Sequence, residues 1–195
     1  MFSKDLSSHL SHLRVVLTVL LDNKLYAKRS MCVFGCVEVE YLKHLISGQG
    51  VRTNPKKTEA IMQWPVPTSV KALRGFLGLT SYYRKSVKDY DLIATPLTAP
   101  LKKDSFQWSS QAKLAFHTLK QAMSQPLVLA LLDFTKPFVI ECDASGTSLR
   151  AILMQNHRPL AFHSQALKGR SLLLSTYEKE LLALVTVVKN EGHTW

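Results

Sequence analysis

Acidic residues are scarce in this chain: 14 Asp and Glu stand against 25 Lys and Arg, leaving a net charge of +11 over 195 residues. That balance suggests a polyanion as partner, most simply nucleic acid. Cysteine is scarcer still. Cys32, Cys36 and Cys142 make an odd set without zinc-type pairs, so the sequence predicts free thiols in a reducing, intracellular compartment and no disulfide framework. No apolar run approaches the roughly 18–20 residues that span a bilayer, and the opening Met1-Phe2-Ser3-Lys4-Asp5 leads into no apolar core with a cleavage site. Neither a signal peptide nor a membrane partner is expected. A glycine-rich phosphate loop is also missing, and with it any evident small-molecule substrate.

What is present is a chain able to build a core, 46% hydrophobic and 20% charged, long enough for one large domain or two small ones. Its positive charge is concentrated. Residues 51–103 hold ten Lys and Arg against three Asp and Glu, whereas each flank carries a surplus of two. Such a segment has the electrostatic footprint of a polyanion-binding surface; the plain alternative is an ordinary soluble basic face.

Along the chain, Leu6, Leu10, Leu13, Val16, Leu17, Leu20 and Leu21 recur at the helical period, with Asn23 as a stop. Two β-like runs at 31–34 and 37–46, divided by Gly35-Cys36, read as a hairpin. Asn54-Pro55 opens a helix that runs to about Gln63, and Thr68 caps a second one carrying Val70, Leu73, Phe76, Leu77 and Leu79. Residues 92–101 read as a short helix weakened by Pro96 and Pro100. Lys71, Arg74, Tyr83, Arg84, Lys85 and Lys88 are the candidate nucleic-acid contacts, because aromatics among cations can stack on and neutralise a strand. Tyr82 and Tyr83 are equally candidate core anchors.

A second compact unit is expected from about Phe106, with a helix from Ser109 to about Met123. β signals follow at 127–131, 138–143, 148–155 and 159–164, with a tight turn at 156–158. The pattern Ser175-Thr176-Tyr177-Glu178 is a capping box opening a last helix, whose Leu181, Leu182, Leu184, Val185 and Val188 are expected to bury one side. Asp143 ends a short strand, and a carboxylate there ordinarily caps or solvates. Glu180 on the later helix raises a second reading, since two carboxylates on rigid elements can hold a divalent metal. His157 and His163 are weaker candidates for that site. Cys142 reads as a buried strand residue with no activating partner.

In series, several motifs are specific where each alone is weak. They include Asn-Lys-Leu-Tyr-Ala-Lys at 23–28, Val-Glu-Tyr-Leu-Lys-His-Leu-Ile-Ser at 39–47 and Asn-Pro-Lys-Lys-Thr-Glu-Ala-Ile at 54–61. Trp-Pro-Val-Pro-Thr at 64–68, Leu-Arg-Gly-Phe-Leu-Gly-Leu-Thr-Ser-Tyr-Tyr-Arg at 73–84, Cys-Asp-Ala-Ser at 142–145 and Ser-Thr-Tyr-Glu-Lys-Glu-Leu-Leu-Ala at 175–183 continue it. This order resembles the polyprotein of gypsy-class long-terminal-repeat retrotransposons, from the end of the reverse transcriptase into RNase H. The resemblance implies an α+β chain: the end of the polymerase palm at 1–50, a helical thumb-like segment at 51–104, and an incomplete RNase H-like mixed sheet with flanking helices at 105–195. It implies RNA-directed DNA polymerase and RNA–DNA hybrid ribonuclease as family activities, Mg²⁺ as cofactor, and an RNA–DNA hybrid or template–primer duplex as partner. It also places remnant RNase H carboxylates, catalytic and metal-binding, at Asp143 and Glu180.

Two metal ions in such a site need a cluster of carboxylates. The family's has four members, of which this sequence supplies Asp143 and Glu180; the polymerase Asp-Asp pair occurs nowhere in it. Ser148 and Arg150 stand where the family usually has hairpin glycines, and Arg150 is close enough to the carboxylates to pair with Asp143 or compete for a metal. Lys43 replaces a usual glycine, Leu132 a usual proline, and residues 190–195 drift from the pattern. The expectation is a truncated, degenerate reverse transcriptase/RNase H-like piece, inactive alone. The alternatives are a nucleic-acid-binding module without catalysis, and a chain that acts only when a separately encoded polymerase half completes it.

Overall fold

The structure, a computed structural model, describes residues 3, 5–101 and 106–192, with side chains described as far as Lys189. The chain divides into two compact units, residues 1–39 and 40–195. The first is built on helix α1 (Leu6–Asp22), whose N-cap Asp5 accepts from the Ser8 amide at 2.8 Å and whose C-cap is Asn23. None of its residues is buried. The leucine stripe was a true helix signal, yet among the described residues it meets no core. A single 3-10 turn, Arg29–Met31, replaces the strand expected at 31–34.

The hairpin expected across Gly35-Cys36 does not form, and a different sheet lies further on. β1 (Glu38–Tyr41), β2 (His44–Ser47) and β3 (Gly50–Thr53) make a three-stranded sheet in that order, with β2 and β3 antiparallel. Its first turn, Leu42-Lys43, lies inside what reads in sequence as one strand, with φ +46° and +64°. A two-residue hairpin turn of the primed type needs positive φ at both positions. Lys43 therefore occupies a left-handed position suited to the glycine it replaces. β3 spans position 50/51, so the proposed palm–thumb division falls within a strand.

Helices α2 (Pro55–Met62) and α3 (Val70–Ser81) follow their sequence signals closely. Asn54 accepts from the Lys56 amide, and Ser69, one residue past the expected cap, accepts from the Ala72 amide. α4 (Tyr90–Ala94) and a 3-10 stretch, Thr95–Leu101, take the place of the single helix at 92–101. α5 (Ser110–Ser124), capped by Ser109, buries Ala112, Ala115, Phe116, Leu119 and Met123. These side chains share one core with Ile61, Leu73, Phe76, Tyr90 and Leu97 from the preceding helices. At its centre the Phe76 and Phe116 rings lie 4.6 Å apart, flanked by Trp64 and Trp108. The helix expected to open the second unit thus completes the helical body; the expected boundary at 104/105 lies outside the described residues.

β4 (Val139–Ala144), β5 (Ser148–Gln155) and β6 (Arg158–Ala166) form an antiparallel meander. The turn between β5 and β6 uses Asn156 and His157 at φ +50° and +57°. Residues 127–131 form no strand. They make one bridge, Val51 to Leu129, with reciprocal bonds of 2.8 and 2.9 Å, and the Ala130 amide donates to Pro159 at 2.7 Å. Helix α6 (Thr176–Gly192) starts at the predicted capping box, the Ser175 amide donating to Glu178 at 2.7 Å. Its buried face is Lys179, Ala183 and Val187; of the expected aliphatic set Leu182 packs against the core, whereas Leu181, Leu184, Val185 and Val188 are exposed. The small Ala183 lets α6 approach Cys142, Ala144 and Leu149 of the sheet.

Candidate nucleic-acid interface and carboxylate site

The basic residues of 51–103 separate by burial. On α3, Leu73, Phe76 and Thr80 turn inward, which leaves Lys71 and Arg74 one turn apart on the solvent face. Arg84 and Lys88 are exposed and Lys85 is half-buried. Arg84 is partly balanced from within: its charge lowers the pKa of Asp91, opposing the burial that raises it.

Tyr83 does not belong to this surface. It is 1% exposed, its hydroxyl donates to the Lys43 carbonyl at 3.1 Å, and its ring meets His44 edge-on at 5.3 Å. A ring enclosed in this way has no face on which a base can stack. Tyr82 donates to the Leu42 carbonyl and stacks on His44 at 5.2 Å, with Lys43 Nζ 5.3 Å from its ring. The two tyrosines clasp the left-handed turn, and burial there pushes the His44 imidazole pKa down.

Strand alternation decides the carboxylate site. Cys142 and Ala144 pack toward α6, so Asp143 between them projects from the opposite face. There it pairs in register with Arg150, whose Nη1 lies 3.7 Å from Asp143 Oδ2. Arg150 Nε makes the closer contact, 2.8 Å to Oδ1 of Asp89 on the loop before α4. Asp89, Asp143, Arg150, Glu141, Lys88 and His163 line a cavity of about 200 Å³. Glu180 sits exposed on α6, the helix covering the other face; its negative charge, after burial, raises the Cys142 thiol pKa. The thiol is thereby kept protonated, as expected of a strand residue rather than a nucleophile. Glu178 serves the cap and not the site.

Among the described residues, no three His, Cys, Asp or Glu side chains converge into a group able to hold a metal ion. Asp143 faces a guanidinium and Glu180 stands on a helix packed against the opposite side, so the residues present do not fit the divalent metal that the resemblance implies. Sequence reasoning foresaw the Arg150–Asp143 pair. It missed Asp89, whose only local signal is an acid in a basic stretch; its φ of +59° is a tertiary fact.

Comparison with known proteins accords with this architecture. Residues 108–194 match the model of the RNase H-like domain found in reverse transcriptase. The Pol polyprotein of transposon 297 from Drosophila melanogaster is 40% identical over 98% of this chain, and that of transposon gypsy from the same organism is 34% identical over 94%. An uncharacterized mitochondrial protein of Arabidopsis thaliana is 48% identical over 67% of this chain and 84% of its own length. The chain belongs to the retrovirus-related Pol polyproteins of transposons. It spans 18% of the transposon 297 Pol polyprotein and 19% of that of gypsy. The fold matches a foamy viral protease–reverse transcriptase solved with an RNA/DNA hybrid: TM-score 0.89, 20% identity, 98% of this chain and 27% of that one. The α+β reading, helical body followed by an RNase H-like sheet with flanking helices, holds; the described strands of that sheet are all antiparallel. No described helix is long and apolar enough to cross a membrane.

Proposed function

We propose that this chain is a duplex-binding piece of a retrotransposon reverse transcriptase that does not itself cut or copy nucleic acid. Its parts follow the family's order, palm-derived residues 1–50, thumb-like residues 51–104 and RNase H-like residues 105–195, with β3 crossing the first division and α5 of the last part packed into the helical core. Its ligand is an RNA–DNA hybrid or a template–primer duplex. The observation that carries this reading is the exposed pair Lys71 and Arg74 on the outer face of a helix whose inner face is locked into an aromatic core. Cations on a rigid helix can meet backbone phosphates without reading sequence. That solved chains of this fold were captured with an RNA/DNA hybrid and with double-stranded DNA supports the choice of ligand.

The noncatalytic half of the proposal rests on Arg150 beside Asp143 and on the lack, among the described residues, of a three-member group of His, Cys, Asp or Glu able to hold a metal ion. Binding of a labelled RNA–DNA hybrid as a function of salt tests the first half. Replacing Lys71, Arg74, Arg84 and Lys88 by Gln should flatten the log–log slope by about 0.9 per lost phosphate contact. A native chain whose affinity ignores salt overturns it. Incubating the hybrid with Mg²⁺ or Mn²⁺ tests the second half. No cleavage is expected, and metal-dependent cleavage abolished by Asp143→Asn refutes it.

A further inference from the structure

Asp143, Arg150 and Ser164 are paired in register across β4, β5 and β6, so their side chains form one row on the face opposite α6. The loop entering α4 meets that row twice. Asp89 accepts from Arg150 Nε at 2.8 Å, and the Asp91 amide donates to the Ser164 hydroxyl at 3.0 Å. Asp89 stands at the N-cap of α4 yet gives its side chain to Arg150 and makes no side-chain cap bond. It holds a left-handed backbone, φ +59°, to do so. Exposure ranks the two carboxylate contacts: the Asp89 side chain is 29% exposed, that of Asp143 is 74% exposed and its contact is longer.

We infer that Arg150 is a resident cation in the position a metal would need beside Asp143, and that the Asp89–Arg150 pair pins the α4 loop to the β4-β5-β6 sheet. A guanidinium suits this task because its planar fork offers several fixed donors, one to each carboxylate. Lysine would place a single compact charge and bridge less well. The pin ties residues 61 positions apart and is independent of whether the chain binds nucleic acid.

Two readouts on the full chain test it. Hydrogen exchange at the Asp91 amide reports the pin: Arg150→Met and Asp89→Gly, which keeps the left-handed backbone but has no acceptor, should each speed it about 10-fold, and the double variant should add nearly nothing, since either change removes the same contact. Mn²⁺ broadening of the Asp89 and Asp143 amide resonances reports the cation. It should begin at a 10-fold lower Mn²⁺ concentration in Arg150→Met than in the native chain, and revert on adding Asp143→Asn. Arg150→Lys, which keeps the charge, should retain the native Mn²⁺ threshold while speeding Asp91 exchange. Additive single effects on exchange overturn the pin. A native chain that broadens as readily as Arg150→Met overturns the resident-cation reading.

Discussion

Among the described glycines, Gly50 is the one at which an added methyl group should do most damage. A Cβ there would lie 2.1 Å from the Leu129 carbonyl oxygen and 3.1 Å from Val128 Cγ1. Ordinary contact distances are near 3.5 Å, so the two backbones must part by about 1 Å or more. That separation breaks the reciprocal Val51–Leu129 hydrogen bonds of 2.8 and 2.9 Å, the one bridge between β3 and residues 127–131. Each bond contributes about 1 kcal/mol net. The φ of +139° adds strain for any L side chain, about 1–3 kcal/mol. Gly50→Ala should therefore cost about 3–5 kcal/mol in urea unfolding, and exchange at the Val51 and Leu129 amides should rise by at least ~100-fold, tenfold per 1.4 kcal/mol. Gly48→Ala in the same hairpin is the control. Its Cβ would meet nothing within 4 Å, and a change within about 0.5 kcal/mol is expected. A loss at Gly50→Ala below about 1 kcal/mol, with both amides still protected, would refute the steric account.

Phe116→Ala should cost about 3–5 kcal/mol by opening a cavity between Phe76 and Trp108, measured by denaturant titration; a cost under about 1 kcal/mol would show that α5 is not part of the helical core. Burial pushes the Tyr90 phenol up to about 12 from its ordinary 10. A raised folded pKa means stability is intact below pH 10 and lost as pH climbs through 12, by roughly 2–3 kcal/mol. Tyr90→Phe should lose about 1 kcal/mol at pH 8, where its bond to Thr80 is missing, yet decline less between pH 10 and 12. Parallel stability–pH curves for the two proteins would contradict this.

Much of the local structure is legible in the residues themselves. Caps at Asn54, Ser109 and Ser175, the helical spacing along α1, α3 and α5, and the bounds of β5 all follow from short-range chemistry acting within a few positions. The ordered series of motifs likewise carries the family. Local pattern was misleading where the backbone does something costly. Leu42-Lys43 turns sharply without glycine or asparagine, because Tyr82 and Tyr83, about 40 positions away, hold its carbonyls.

Sequence alone determined that this is a basic α+β chain of the transposon Pol family, and most of its helices and the β4-β5-β6 strands; it misassigned 31–34 and 127–131 as strands and missed the turn at Leu42-Lys43. Only the tertiary structure decided which faces those segments hide. Alternation guarantees that Cys142 and Asp143 point opposite ways, but nothing nearby says that α6 will cover the cysteine's side and leave the aspartate to Arg150. Period and propensity are properties of neighbours along the chain. The Asp89–Arg150 contact, the burial of Tyr83 and the docking of α5 into the helical core depend on surfaces brought together from distant stretches.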